Sequence, residues 1–335
     1  MSSVDLGVPV ATLGSGVTVH HGVEFAVVEG YRPLLLDLYV PAAGAASGAA
    51  IVYLHGGGWA VGSRRRFGRA FASWSPTPFD LLAQAGFVVA TADYRLSGEA
   101  CFPAQLHDVK AAIRWVRGNA DRLAVDVGRV MTWGESAGGH LAVLAGLTGG
   151  RPELEGTVGD FIGQSSAIGG VVDWYGPMNL RSIGAQHALG SEKRPDDAGS
   201  WESSMVGAPL QSDPARTRAA SPISYVHAAA PPIQIHHGTV DTQVPCAQST
   251  EFVDAMRAVG GTADLILVEG SDHFWTGARD LAAIFQSSLA FALATTSTPT
   301  SRWSGAISRH GWRKSRPRGK DRAATTGSVR STDEQ

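Results

Sequence analysis

The residues best suited to covalent chemistry lie in the segment Gly134-Glu135-Ser136-Ala137-Gly138-Gly139. An apolar, partly β-branched run from Arg129 precedes it, and a helical pattern of small residues continues to Leu147. A serine at such a strand-turn-helix corner can be held in a strained conformation with its hydroxyl exposed, because the flanking glycines lack side chains that would clash. The helix adds backbone N–H groups where an oxyanion would form. We interpret Ser136 as a nucleophile; the alternative is a glycine-rich turn with a capping serine.

A serine hydroxyl needs a base to take its proton and an acid to orient that base. His273 follows the apolar run Ala263 to Val268, and Asp241 follows the run that begins at Ile233. Since the carboxyl ends of parallel strands meet at one sheet edge, we predict Ser136, Asp241 and His273 as a catalytic triad. Asp173 is the alternative acid. Asp272 adjoins His273 in sequence, which disfavours a well-aligned bond to its ring.

A second glycine-rich segment, His55-Gly56-Gly57-Gly58-Trp59, follows the buried strand pattern of Ala50 to Leu54. Three consecutive glycines would destabilise the chain unless its backbone had to approach something closely, and an oxyanion is the best candidate. The alternative is a flexible turn. His55 adjoins this loop, and we predict that it supports the loop rather than acting as the base, as we also predict structural roles for His140, His236 and His237.

Aromatic residues surround these corners and predict an aromatic-lined substrate mouth. The candidate substrate-binding residues are Trp59, Glu135 and Trp174, although Glu135 is also expected to fix the structure of its corner. The long insertion Ala60 to Pro78 adds Phe67, Phe71 and Trp74. It also holds the run Arg64-Arg65-Arg66, which we interpret as a solvated surface, the alternative being a site for an anionic substrate.

The remaining pattern predicts the elements that position these residues. Two antiparallel strands, Val17 to Val28 and Leu34 to Val40, precede alternating strands and helices, which indicates an α/β fold with a mostly parallel central sheet and helices on both faces. The predicted helices are Phe79 to Ala85, Ala104 to Gly118, Gln248 to Val259 and Gly277 to Leu293, and a further strand runs from Ile168 to Tyr175. The aperiodic segment 176–221 is predicted to form a small lid-like excursion.

Composition is that of a globular protein. The 335 residues are 44% hydrophobic and 17% charged, and the formal charge of −2 argues against nucleic-acid binding. Residues 296–335 carry nine Lys and Arg against three Asp and Glu, so the remainder has a formal charge of −8. We therefore predict a catalytic domain over residues 1–295 and a disordered basic tail over residues 296–335.

Targeting and cofactor signals are not evident in the sequence. We find no signal peptide and no membrane-spanning run, and Cys101 and Cys246 match no disulfide framework, so a cytoplasmic location is expected. No metal cluster, phosphate loop or dinucleotide fingerprint is found, so no cofactor is expected. The oligomeric state stays open, with a homodimer as one alternative.

Four motifs together resemble a known family: HGGGW at His55, GESAGGH around Ser136, HGTVDTQVP around Asp241 and SDHFW around His273. Over Gly22 to Leu293 the chain is similar to α/β-hydrolases of the hormone-sensitive-lipase-like carboxylesterase group, especially bacterial feruloyl- and acetyl-esterase-like members. The resemblance implies the α/β-hydrolase fold and an oxyanion hole formed by the N–H groups of Gly57, Gly58 and Ala137. Phe274 replaces the family's glycine after the catalytic histidine and is expected to narrow the substrate pocket.

The expected function is that of a serine carboxylesterase acting on short-chain or aromatic acyl esters through an acyl-enzyme. Its partner would be a small-molecule ester. An arylformamidase or amidase using the same triad is the enzymatic alternative. A catalytically silent hydrolase-fold binding protein is the alternative from a different class.

Overall fold

A computed structural model of the chain describes residues 6–188 and 191–297, which form a nine-stranded sheet in the order β1-β2-β3-β5-β4-β6-β7-β8-β9. The strands, in chain order, are β1 (Val10–Thr12), β2 (Thr18–Ala26), β3 (Leu34–Val40), β4 (Ala49–Leu54), β5 (Phe87–Ala92), β6 (Val130–Glu135), β7 (Val171–Trp174), β8 (Ile233–Gly238) and β9 (Ala263–Val268). Strands β1, β2, β3 and β5 pair antiparallel, and all pairs from β5 through β4 to β9 are parallel. The predicted mostly parallel sheet is confirmed.

Alternate residues of the central strands face two separate cores. In β4, Ala50, Val52 and Leu54 belong to one apolar cluster, whereas Ala49, Ile51 and Tyr53 belong to another. Every residue of this strand is buried, which is why it appears in the sequence as a continuous apolar run. The sheet therefore carries a core on each face.

Helices cover both faces of the sheet. The first core packs against α2, α4 and α9, and the second against α1 and α10. In chain order the helices are α1 (Pro78–Gln84), α2 (Ala104–Gly118), α3 (Ala120–Leu123), α4 (Ala137–Leu147), α5 (Pro152–Glu155), α6 (Ile183–Gln186), α7 (Trp201–Val206), α8 (Pro214–Ala219), α9 (Ala247–Ala258) and α10 (Leu281–Ser297). The fold class predicted from the sequence is confirmed.

In the described part of segment 176–221 the chain forms three short helices, α6 to α8, instead of one regular element. Ser200 caps α7 by accepting a hydrogen bond from the Ser203 N–H at 2.9 Å, and Gly207 ends the helix with φ +83°. The helices are too short to produce a periodic apolar pattern, which explains why the sequence predicted only an irregular excursion.

The last helix begins and ends later in the chain than the sequence predicted. We predicted a helix over Gly277 to Leu293 and a tail from residue 296, but α10 runs from Leu281 to Ser297. Thr296 is buried, and its carbonyl oxygen accepts a hydrogen bond from the Arg129 guanidinium. Residues 296 and 297 therefore belong to the helix, and the rest of the predicted tail lies outside the described residues.

We predicted that the arginine run Arg64-Arg65-Arg66 is a solvated surface, but only part of it is solvated. Arg64 is buried, and its guanidinium donates to Asp37 at 2.8 Å and to Asp93 at 2.7 Å. Arg65 and Arg66 are exposed. A buried guanidinium must be paired to offset its lost hydration, and two carboxylates supply that pairing: Asp37 in β3 and Asp93 directly after the neighbouring β5.

Candidate active site

Ser136 lies at the corner between β6 and α4 with φ 51° and ψ −121°. A non-glycine residue in this region is strained by on the order of 1–3 kcal/mol, so the surrounding structure must impose the conformation. The Ser136 N–H donates to the Trp174 carbonyl oxygen at 2.7 Å. A Cβ at Gly134 would collide with the Gly138 carbonyl, and a Cβ at Gly138 would collide with the Leu54 carbonyl. Only glycines at these two positions allow the tight corner.

His273 and Asp241 meet Ser136 at the carboxyl ends of three strands. Ser136 Oγ lies 3.0 Å from His273 Nε2, and His273 Nδ1 lies 2.7 Å from Asp241 Oδ2. Asp241 follows β8 and His273 follows β9, so the parallel sheet brings together residues that are far apart in the chain. The hydroxyl can donate to Nε2 only when Nδ1 carries the ring proton, and the Nδ1–H group then donates a hydrogen bond to the Asp241 carboxylate.

Asp241 is held as a carboxylate by several donors. Oδ1 accepts hydrogen bonds from the backbone N–H groups of Gln243 and Val244, both at 2.8 Å, and Oδ2 also lies 3.4 Å from His237 Nε2. Burial by itself would raise the pKa of Asp241, but the bonds from His237 and His273 outweigh it and hold that pKa well below its usual range. The carboxylate therefore stays charged beside His273.

The alternative acids occupy other positions. Asp173 is fully buried beneath the corner, where its Oδ1 accepts from the Gly176 N–H at 3.1 Å, and burial raises its pKa well above the ordinary value. Asp272 accepts from the backbone N–H groups of His273 and Thr242, each at 2.7 Å. Both carboxyls therefore support turns, whereas the Asp241 carboxylate contacts the His273 ring.

The loop after β4 has the backbone of a glycine-dependent turn. Gly57 has φ +117° and Gly58 has φ +58°. A Cβ at Gly57 would collide with the Val61 carbonyl, and a Cβ at Gly58 would collide with the Trp201 indole. The N–H groups of Gly57, Gly58 and Ala137 donate to no other group among the described residues. They are therefore available to an oxyanion bound beside Ser136.

Replacing Gly57 by alanine is expected to lower kcat by a factor on the order of 10²–10³, the loss typical of one oxyanion donor. The added methyl group collides with the Val61 carbonyl and disfavours φ +117°, so the loop must move. Initial rates with a butyryl ester would measure the loss, and circular dichroism would monitor the fold. Gly163→Ala is the control, because a Cβ there meets nothing within 4 Å. Equal rates for both variants would contradict this assignment.

His55 and His140 hold the loop from two sides. His55 Nδ1 donates to the Gly56 carbonyl at 2.7 Å, and its ring stacks on Tyr94 with centroids 4.3 Å apart. His140 Nδ1 accepts from the Trp59 indole N–H at 3.3 Å, and its Nε2 donates to the Ala220 carbonyl at 2.7 Å. Burial lowers the pKa of His140 to about 4, so this ring is neutral at pH 7.

Burial of His236 is expected to make the stability of the folded chain depend on pH. Burial in β8 lowers its pKa from 6.5 to about 4, so between these values the unfolded chain binds a proton that the folded chain excludes. The free energy of unfolding therefore falls as the pH falls below 6.5. Relative to pH 7, we expect wild type to lose about 2 kcal/mol more than His236→Gln at pH 5. Urea unfolding of both proteins at pH 7 and pH 5 measures this, and an identical pH dependence would contradict it.

Two cavities meet at Ser136 and His273. The smaller, of about 220 Å³, is bounded by Gly58, Trp59, Ala137 and residues of segment 176–221 that include Trp201. The larger, of about 1030 Å³, extends under the 60–78 insertion and includes Glu135, Phe274 and the side chains of Phe67, Phe71 and Trp74. The Ser136 side chain therefore lines both cavities.

The predicted substrate-binding residues divide into those that line these cavities and one that does not. Trp59 lines the smaller cavity, and Glu135 and Phe274 line the larger. Trp174 is fully buried in the second core, and its indole N–H donates to Ser288 Oγ at 2.9 Å. Its predicted contact with substrate is therefore wrong, because the alternation of β7 points this side chain into the core rather than the mouth. Trp201, to which we had assigned no role, lines both cavities.

Glu135 joins the two active-site corners. It is buried, its Oε2 accepts from the Tyr175 hydroxyl at 2.8 Å, and its carboxyl packs against Gly68 of the insertion. Burial raises the pKa of Glu135 despite the opposing hydrogen bond from Tyr175. Tyr175 in turn packs on the His273 ring, with centroids 4.5 Å apart. Glu135 therefore supports the corner as well as lining the cavity.

Phe274, the residue after the candidate base, has a backbone conformation that glycine adopts more readily than phenylalanine. Its φ is 59° and its ψ is 21°, in the left-handed region. Its ring packs edge-on to His273 with centroids 4.4 Å apart and lines the larger cavity. The side chain therefore occupies space next to the candidate base, in keeping with the expected narrowing of the pocket.

The described residues contain neither a candidate metal-binding cluster nor a helix that could cross a membrane. Within residues 6–188 and 191–297, no group of three or more His, Cys, Asp or Glu side chains lies where it could hold a metal ion. Among the same residues, no helix is both long enough and apolar enough to cross a membrane.

The sequence is similar to characterised esterases. Esterase LipC of Mycobacterium tuberculosis is 32% identical over 209 residues, which cover 62% of this chain and 48% of LipC. Isoprenylcysteine alpha-carbonyl methylesterase ICME of Arabidopsis thaliana is 29% identical over 263 residues, which cover 75% of this chain and 56% of that protein. The chain thus spans about half the length of the curated relatives it matches.

Solved structures and a family model agree with this similarity. A truncated form of a carbohydrate esterase from gut microbiota superposes with a TM-score of 0.72 at 30% identity, covering 85% of this chain and 99% of that one. Thermogutta terrifontis esterase 2 phosphorylated by paraoxon gives a TM-score of 0.61 at 28% identity, covering 83% and 92%. The BD-FAE family model matches residues 36–256. This chain therefore belongs to the BD-FAE family and has the α/β-hydrolase fold of esterases.

Proposed function

We propose that this chain is a serine carboxylesterase that hydrolyses short-chain or aromatic acyl esters through an acyl-enzyme. The observation that carries the proposal is the continuous hydrogen-bond chain from Ser136 Oγ through His273 to Asp241. It ends at a buried carboxylate and begins at a hydroxyl that opens to two cavities. This arrangement supports nucleophilic attack on an ester carbonyl.

The reaction follows from these positions. His273 Nε2 takes the Ser136 proton as Oγ attacks the carbonyl carbon, and Asp241 stabilises the imidazolium that forms. The N–H groups of Gly57, Gly58 and Ala137 bind the oxyanion. The intermediate collapses to the acyl-enzyme, and the imidazolium gives its proton to the departing alcohol. A water molecule, deprotonated by His273, then attacks the acyl group and releases the acid and free Ser136.

Similar proteins support this proposal through their described chemistry. One related structure holds propionate, and another is described as phosphorylated by paraoxon. LipC and ICME are both named for ester hydrolysis. Propionate is a short-chain acid, which agrees with the size of the smaller cavity beside Ser136.

The smaller cavity argues for a short acyl group. Its volume is about 220 Å³, and Trp201 and other residues of the 192–202 part of the chain line it, so an extended fatty-acyl chain would have to reach beyond this cavity. We expect acetyl and butyryl esters to be hydrolysed with higher kcat/KM than octanoyl or palmitoyl esters. Initial rates across a 4-nitrophenyl ester series would measure this preference. Faster hydrolysis of the palmitoyl ester would contradict it.

The experiment that tests the function combines this series with feruloyl esters and formyl-kynurenine, using wild type and Ser136→Ala. Serine-dependent hydrolysis of esters supports the proposal. Serine-dependent hydrolysis of formyl-kynurenine alone would replace it with the formamidase alternative. Absence of turnover together with no labelling of Ser136 by a fluorophosphonate would favour a binding protein.

A further inference from the structure

We infer that the larger cavity selects esters in which an aromatic body carries an anionic substituent, bound by Arg65, Arg66 and Arg69. The inference rests on the proposed function and adds the substrate class. The anionic group can belong either to the acid or to the alcohol of the ester. In both cases the anionic group is a carboxylate, sulfonate or phosphate attached to an aromatic ring.

The cavity wall fits an aromatic ring. Its lining includes the half-buried Tyr39 and Trp74, with the buried rings of Phe67, Phe71 and Phe79 behind them, and the space connects directly to Ser136 and His273. Phe67 and Phe71 pack edge to face with ring centroids 5.5 Å apart. Aromatic walls of this kind favour a flat apolar ligand, since rings can pack edge to face or offset against it.

Three arginines of the insertion line the same cavity. Arg65, Arg66 and Arg69 are all exposed, and none of their guanidinium groups forms an ion pair or a hydrogen bond with another residue of the described chain. Arg64, by contrast, uses its guanidinium to bind Asp37 and Asp93. The three remaining guanidinium groups therefore keep their donors available for an anion.

Arg69 brings this positive charge close to the catalytic histidine. Its guanidinium carbon lies 5.2 Å from the centroid of the Phe274 ring, and that ring packs against His273. A cation over an aromatic face is attracted to it, which gives Arg69 a defined position on the cavity wall. An anionic ligand that reaches Arg69 therefore lies next to the residues that would perform hydrolysis.

The charge of the cavity differs from that of the rest of the chain. Glu135 is the single carboxyl group among its described lining residues, and it is buried and hydrogen-bonded to Tyr175. Residues 1–295 as a whole carry a formal charge of −8. Three arginines at one opening of an otherwise acidic chain concentrate positive potential there, which attracts anions and disfavours cations.

The test compares two matched ester pairs that differ by one carboxylate. Phenyl acetate and 4-acetoxybenzoate place the charge on the alcohol, and methyl benzoate and monomethyl terephthalate place it on the acid. The ratio of kcat/KM for the charged ester to that for the neutral ester is measured in wild type and in the Arg65→Gln, Arg66→Gln, Arg69→Gln variant. Comparing the ratio between proteins cancels the intrinsic reactivity of each ester.

We expect the ratio to fall by about tenfold in at least one pair, as three exposed charge pairs of modest strength would produce. The affected pair identifies whether the anion belongs to the acid or the alcohol. The neutral ester is the reference within each protein, so any general effect of the substitutions on turnover cancels in the ratio. The control variant Arg122→Gln, Arg181→Gln, Arg218→Gln changes the net charge equally, uses exposed arginines outside the cavity and should keep the wild-type ratio. An unchanged ratio in both pairs overturns the inference.

A second measurement separates this inference from the proposed esterase activity. Saturation-transfer NMR of benzoate and benzyl alcohol reports binding without turnover. Benzoate should bind wild type and Ser136→Ala, and should lose its signal in the triple arginine variant, whereas benzyl alcohol should bind all three alike. Equal benzoate binding in wild type and the arginine variant overturns the inference even if esters are hydrolysed. If benzoate binding depends on the three arginines but no ester is hydrolysed, the anion site is supported and the proposed esterase activity is rejected.

Discussion

Replacing Ser136 by alanine is expected to lower kcat for a butyryl ester by a factor on the order of 10⁶, because loss of the nucleophile removes the function of the whole triad. Ser136 Oγ is the atom 3.0 Å from His273 Nε2, and no other hydroxyl is placed against that nitrogen in the described chain. The measurement is the initial rate at saturating substrate, with active-site titration to exclude contaminating wild-type enzyme.

The fold should survive this substitution. Alanine keeps the same backbone requirement at φ 51°, and the lost hydroxyl is small. Thermal unfolding of Ser136→Ala should therefore resemble that of wild type. Ser212→Ala provides a control, because Ser212 is exposed and its hydroxyl bonds locally to the Pro209 carbonyl. Activity of Ser136→Ala equal to that of this control would reject the proposed mechanism.

The second large effect is expected for Asp241→Asn, which should lower kcat by a factor on the order of 10⁴ at neutral pH. The asparagine carbonyl can still accept the backbone N–H groups of Gln243 and Val244, so the loop keeps its shape. Its amide then donates to His273 Nδ1, which forces the proton onto Nε2. That nitrogen can no longer accept the Ser136 proton, and the charge that stabilised the imidazolium is gone.

A pH–rate profile and a matched variant check this explanation. Asp272→Asn changes a carboxyl that contacts the His273 backbone but not its ring, so it should cost far less activity. The Asp241→Asn rate should rise at high pH if hydroxide replaces the missing base function. If Asp241→Asn hydrolysed the ester at the wild-type rate, Asp241 would be excluded as the orienting acid, and Asp173 would be the remaining candidate.

The sequence alone determined the main strands and helices of the sheet and the order of the candidate triad. Apolar runs such as Ala49–Leu54 and Phe87–Ala92 form strands because every one of their side chains enters a core, a property visible without knowing their neighbours. The corner at Ser136 was equally predictable, since flanking glycines are required by local backbone geometry. Positions after successive parallel strands then placed Asp241 and His273 at one edge.

Only the tertiary structure decided which residues of the same type are buried in a core or an ion pair and which line a cavity. Three consecutive arginines look alike in sequence, yet Arg64 is buried by carboxylates 27 and 29 residues away, and Arg65 is left at a cavity. Trp174 and Trp201 both lie near glycine corners, but Trp174 enters a core and Trp201 covers Gly58. Such outcomes depend on contacts between distant segments, because burial and pairing are properties of the folded neighbourhood and not of the residue or its spacing.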